Sequence, residues 1–146
     1  MTRTLAVIAV LAAVTASGAM AAGHAAPKTA SVSVRSSAYG PILFDGRGKA
    51  LYVFTKDKAG RSLCSGACAA AWPPFVVGGP VKAGAGVKAS LLGTIRRADG
   101  SRQVTYAGRP LYFYVGDTKA GQVRCQNVFE YGGLWLVVRG SGLPVK

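Results

Sequence analysis

"LYVFTKDKAG" (Leu51–Gly60) returns in the same chain as "LYFYVGDTKAG" (Leu111–Gly121). The two phrases align at an offset of sixty residues from Gly48–Phe54 onto Gly108–Tyr114. One residue is added after the aspartate (Asp57, Asp117), so Lys58-Ala59-Gly60 matches Lys119-Ala120-Gly121 at sixty-one and Cys64 falls on Cys125. Two copies are too few for a solenoid, whose units need at least about three neighbours to bury a continuous core. A pseudo-symmetric pair sharing one core is the arrangement two copies allow. Within each phrase, residues two apart face the same way in a strand. Tyr52 and Phe54 therefore share one face, as do Tyr112 and Tyr114, while Leu51, Val53, Leu111 and Phe113 take the other. Both faces are apolar, the pattern of a central strand buried on two sides.

The neighbouring signals favour strands as well. Ile42-Leu43-Phe44 runs through the turn sequence Asp45-Gly46-Arg47-Gly48 into Ala50–Thr55, which reads as a hairpin. Gln103–Tyr106 and Leu111–Val115 flank Ala107-Gly108, a second hairpin, and Thr94–Ala98 precedes the Asp99-Gly100 turn as another strand. Leu134–Val138 is an apolar run of strand length. Only Ser65–Trp72, rich in alanine and stopped by Pro73-Pro74, reads as helix. The expected fold class is mainly β (a small α+β fold): two pseudo-symmetric β-hairpin repeats, about 39–77 and 92–139, sharing one core with one short helix. Gly78–Gly86 is the loop between copies.

All thirteen aromatic residues lie between Tyr39 and Trp135. The stretch 22–38 has no aromatic residue and reads mainly Ala, Ser, Thr and Lys with a single Pro27; it cannot offset ordering entropy and is expected to be a disordered tether. Residues 140–146 are expected to form a loose tail. At the start, Met1-Thr2-Arg3-Thr4 leads into an apolar stretch and ends at Ala19-Met20-Ala21, the layout of a secretory signal peptide over 1–21. The apolar stretch, roughly 16 residues, is short of the ~20 a membrane span needs. The chain is therefore expected to be exported, periplasmic or extracellular, with no transmembrane segment after signal cleavage.

The chain is strongly basic, with 18 Lys+Arg against 5 Asp+Glu and a net charge of +13. Such a charge attracts anionic surfaces at long range. Outside the cytosol these are teichoic acid or lipopolysaccharide, phospholipid head groups and acidic glycans; nucleic acid is not expected there. The basic residues are scattered, with Arg96-Arg97 the one adjacent pair, so solubility alone is the competing explanation.

The catalytic inventory is thin. The sole histidine, His24, lies in the expected tether, so the repeats can build no histidine-based triad. Asp57 and Asp117 follow the aromatic pairs just before a turn, where an aspartate can bond downstream backbone N–H groups. The functional alternatives are two aromatic platforms with a carboxylate at each rim, suited to a sugar or cation, or a two-carboxylate hydrolase. No cofactor or metal is expected. Cys64, Cys68 and Cys125 in an oxidising compartment point to a disulfide. A Cys64–Cys68 link closes a short ring worth about 2 kcal/mol, whereas Cys64–Cys125 closes a long one worth ~4 kcal/mol in the same chain-entropy treatment.

"ILFDGRGKALYVFTKDKAGRSLCSGACAAAWPPF" resembles the bacterial exported repeat described as a predicted lipoprotein with a Tyr-x-aromatic-x-x-Asp motif, also called the secreted repeat of unknown function. Tyr52, Phe54 and Asp57 carry the motif, followed by Cys64, Gly66, Cys68 and Trp72-Pro73-Pro74; Tyr112, Tyr114 and Asp117 carry the second copy, with Trp135 near its end. The resemblance implies a Cys64–Cys68 disulfide, structural roles for Trp72 and Trp135, and no established reaction. The family's lipid-bearing cysteine is absent here, Ala107 replaces a common asparagine, and Cys125 is additional. The combined expectation is a non-enzymatic binding or envelope-associated protein engaging an anionic component, with a redox or electron-transfer role through the cysteines as the alternative.

Overall fold

The computed structural model describes residues 29–146. The expected signal peptide and residues 22–28 of the expected tether lie outside the described residues.

The first hairpin forms where its turn chemistry places it. Ile42–Asp45 (β2) ends at an aspartate whose Oδ1 accepts hydrogen bonds from the Arg47 and Lys49 amides, at 2.9 and 2.8 Å. Gly48, at φ 84°, completes the reversal, a conformation that costs glycine nothing. The chain returns as Tyr52–Phe54 (β3). In the second copy Leu92–Arg96 (β5) pairs antiparallel with Arg102–Tyr106 (β6), and β6 with Arg109–Pro110 (β7). The β6–β7 turn has Ala107 at φ 50° and Gly108 at φ 73°, both left-handed, as a type I′ turn requires. Alanine occupies a position that asparagine or glycine would fill with less strain.

Ala67–Ala71 is the one α-helix among the described residues (α1). It has no side-chain cap and is far below the length at which an isolated helix persists. Trp72 and the Cys64–Cys68 disulfide anchor it to the core instead.

The copies complete each other. Gly133–Val137 (β9), from the second copy, pairs with β3 of the first, Tyr52 facing Val137 and Phe54 facing Trp135. Val128–Glu130 (β8) covers the other edge of β9. Reciprocally, the segment after Trp72 in the first copy runs into the second. The Phe113 amide donates to the Pro73 carbonyl at 2.8 Å, Phe75 to Leu111 at 2.9 Å and Val104 to Phe75 at 2.8 Å. Where the halves meet, Tyr52 and Tyr112 exchange two backbone hydrogen bonds of 2.9 Å each. Further out the exchange repeats, Gly60 N–H to Gly108 C=O and Gly121 N–H to Gly48 C=O. The fold is mainly β with two interlocked repeats. The first hairpin receives β9 from the second copy, and residues 73–77 of the first copy bridge to the second.

Four expectations need correction. Residues 30–35 are not tether: Ala30–Arg35 (β1) pairs antiparallel with β2 and parallel with Val81–Ala83 (β4). Ala30, Val32 and Val34 alternate with serines, and all three pack toward one core cluster. The period-2 alternation of Ala30, Val32 and Val34 with serines is present in the sequence, without an aromatic residue beside it. The linker 78–86 is not a plain loop, since it contributes β4. The tail is not loose: the Val145 amide donates to the Val137 carbonyl at 2.8 Å, and Val145 is buried in the aromatic core. Leu111–Val115 is not a regular strand either. Only Tyr112 there forms bridges, to Tyr52 on one side and Pro74 on the other, because the chain turns away at Gly116.

Candidate functional site

Alternation along β3 sends side chains into two layers. Tyr52 and Phe54 join Trp72, Tyr112, Trp135 and the disulfide in one; Leu51 and Val53 join Val104, Tyr106, Leu111 and Leu136 in the other. Tyr52, Tyr112, Trp72 and Trp135 are fully buried. Of the motif rings, Tyr52, Phe54 and Tyr112 are interior, and Tyr114 is partly buried against them.

The aromatic layer is a symmetric stack. Trp72 and Trp135 lie parallel at 4.0 Å, with Phe54 on the outer face of Trp135 at 4.3 Å and Tyr114 on the outer face of Trp72 at 4.6 Å. Tyr52 meets Trp72 edge-on at 5.2 Å and Tyr112 meets Trp135 edge-on at 5.1 Å. Offset-stacked and edge-to-face contacts are the favourable aromatic geometries, adding about 0.5–1.5 kcal/mol beyond burial. The symmetry breaks at one atom pair. Trp72 Nε1 donates to Glu130 Oε2 at 2.9 Å, whereas buried Trp135 Nε1 has no acceptor.

The carboxylates also cross between copies. Tyr52 donates its hydroxyl to Asp117 Oδ2 and Tyr112 donates to Asp57 Oδ2, each at 2.6 Å. The second oxygen closes the local loop: Asp57 Oδ1 accepts from the Leu63 amide at 2.6 Å, and Asp117 Oδ1 from the Arg124 amide at 2.9 Å. The expected turn role is present but reaches six and seven residues downstream. The cross-copy partner has no local signal, since it depends on the symmetry of the pair. Burial, then the neighbouring carboxylate, pushes both tyrosine hydroxyls far above their usual value of 10.0. Burial likewise raises Asp57, against the opposing pull of Tyr112, the Leu63 amide and Arg97. With both oxygens of each carboxylate engaged, the pair is built as a clasp.

Sequence reasoning missed Arg97. Its Nη1 donates to Ser62 Oγ at 2.8 Å and Gln103 Oε1 at 2.7 Å, and its Nη2 to the Cys64 carbonyl at 2.8 Å. Ser62 Oγ meets Tyr112 Oη at 2.7 Å, so the chain Arg97–Ser62–Tyr112–Asp57 is continuous. The one available signal was the Arg96-Arg97 pair before a turn, which does not say which of the two faces inward.

Cys64 and Cys68 form the disulfide, and Cys125 is free and partly buried. Both bonded cysteines are buried, which restricts the attack by an external thiolate that exchange requires. Replacing both by serine is expected to lower the unfolding free energy by about 2 kcal/mol, read as a lower urea midpoint. A variant of unchanged stability that had lost thiol-exchange activity would instead favour the redox role. Among the described residues, no group of three or more histidine, cysteine or acidic side chains is placed to hold a metal ion, and no helix is long and apolar enough to cross a membrane.

The sequence profile of a family described as a secreted repeat of unknown function matches the chain twice, over residues 33–76 and 93–139. No curated protein and no solved structure matches.

Proposed function

Given that the chain belongs to the family of secreted repeats of unknown function, we propose that it is an exported, non-enzymatic binding module of the cell envelope that engages an anionic envelope component. One observation carries the proposal: the acids point inward and the bases outward. Asp57 and Asp117 are tied to tyrosines, Glu130 to Trp72, and Asp45 to its own turn. Asp99 is the remaining acid, with its side chain 66% exposed. Among the described lysines and arginines all but Lys49 and Arg97 are exposed. The surface is therefore more uniformly positive than the net charge suggests, the condition for long-range attraction to a polyanion. The same engagement of the carboxylates supports a non-enzymatic role.

Retention on an anionic wall polymer or on acidic vesicles tests this reading. Binding is expected at low ionic strength and is expected to weaken at least about tenfold between roughly 0.05 and 0.5 M salt, as the screening length falls from about 14 to 4 Å. Absence of retention even at the lowest ionic strength sinks the proposal.

A further inference from the structure

Beside the disulfide lies a hollow of about 610 Å³ lined by Arg61, Ser62, Leu63, Ser65, Arg96 and Arg97, among others. Arg61 and Arg96 are exposed at its rim. The Arg97 side chain is only 7% exposed, and its three hydrogen bonds go to neutral acceptors, Ser62 Oγ, Gln103 Oε1 and the Cys64 carbonyl. A guanidinium has five N–H donors. Buried Nε has no hydrogen-bond acceptor, and one Nη2 hydrogen is also unused. The nearest carboxylate oxygen, Asp99 Oδ2, stands 3.9 Å from Nε on a largely exposed side chain. Asp57 is reached only through Ser62 and Tyr112. A buried cation held mainly by neutral groups is under-compensated, and an incoming anion supplies the missing charge.

The duplication sharpens the point. By the offset of sixty-one that relates Cys64 to Cys125, Ser62 corresponds to Val123, and by the offset of sixty that holds ahead of the added residue, Arg97 corresponds to Ser37. Ser62 belongs to the first copy and Arg97 to the second, so the site spans both, and the pseudo-equivalent junction forms without this arginine–serine pair. The pair is a specialisation of one of the two junctions between the copies.

We infer that this hollow is a binding site for a phosphate ester carried on a flexible polyol or sugar chain, with Arg61 and Arg96 as the charged rim and Arg97 as the anchored floor. Arginine forks match phosphate oxygens in bidentate geometry, and a recessed site admits a group on a pliable chain better than one held in a planar bilayer. The inference deepens the envelope-binding reading and rests on it.

The test compares Arg61→Gln/Arg96→Gln with Lys82→Gln/Lys146→Gln, which removes the same charge from exposed residues that do not line the hollow. Arg97 is left intact because it also holds the 62–64 loop. The probes are a glycerol phosphate oligomer, a polyuronate of equal charge, and phosphatidylglycerol vesicles. For the oligomer, the arginine pair is expected to weaken binding at least about tenfold, and the lysine pair less than about threefold, as charge-assisted contacts differ from diffuse attraction. Amide shifts on adding inorganic phosphate are expected at residues 61–65 and 96–98. Equal losses in the two variants would overturn the site while leaving the envelope reading standing. Equal affinity for the polyuronate would overturn the phosphate assignment, and binding to vesicles but not to the oligomer would overturn the choice of a chain-borne group. Failure of the wild-type protein to bind any of the three would remove the underlying reading itself.

Discussion

Trp135→Ala is expected to lower the unfolding free energy by about 3–5 kcal/mol, the range for deleting a fully buried large aromatic. Against a total of roughly 5–15 kcal/mol for a domain, that leaves a protein near the edge of folding. The magnitude comes chiefly from burial and the cavity left behind, because stacking adds only about 0.5–1.5 kcal/mol per aromatic pair. Trp135 is sandwiched between Phe54 and Trp72 and abutted by Tyr112. It also sits on β9, the strand that the second copy lends to the first. Trp135→Phe separates the contributions. It keeps an aromatic ring and removes an indole N–H that has no acceptor, whose burial costs about 1–3 kcal/mol. The phenylalanine variant is therefore expected to lose less than half of what the alanine variant loses. Urea unfolding followed by circular dichroism measures both. An alanine cost below about 1 kcal/mol would mean that the rings do not share an interior.

The protein is also expected to lose stability steeply as pH rises above about 10. Tyr52 and Tyr112 have folded-state values raised above the ordinary 10.0 by burial and by the carboxylates they face. An acid whose folded pKa is raised binds its proton more tightly when folded. Its contribution is full below the unfolded value and is lost as pH climbs toward the folded one. Each tyrosine then costs up to about 1.4 kcal/mol per pH unit, and the two act in the same window. Tyrosinate absorbance and circular dichroism followed together should show these two ionisations only as the structure is lost. In Tyr52→Phe/Tyr112→Phe the stability curve should be lower at neutral pH, because Asp57 and Asp117 lose their hydroxyl donors, and flatter above pH 10. Ionisation of more than four of the chain's six tyrosines in a protein that keeps its full dichroism would contradict the clasp.

The contrast between these residues and Arg97 shows how far a linear reading reaches. Tyr52 and Phe54 are legible as core because strand alternation is a local rule, and the two apolar faces of Leu51–Phe54 name a strand buried on both sides. The Asp45 turn and the Ala107-Gly108 turn are legible for the same reason. The resemblance to the repeat family implied the Cys64–Cys68 pairing, between thiols only four residues apart. Burial of β1 and Val145 was not legible, because small alternating residues and a short tail bury only when a neighbouring strand offers them a groove. Cross-copy pairing of each tyrosine with the other copy's aspartate could not be read from either copy alone.

From the sequence by itself came the duplication, the mainly β class, the inward character of the motif strand and the excess of positive charge, since each follows from local periodicity or from composition. Tertiary structure alone decided that the first hairpin receives β9 from the second copy, that Tyr52 and Tyr112 clasp opposite aspartates, and that Arg97 rather than Arg96 turns inward. Those outcomes depend on which surfaces meet across more than thirty residues of chain, and distances of that kind are set by packing and not by neighbours in sequence.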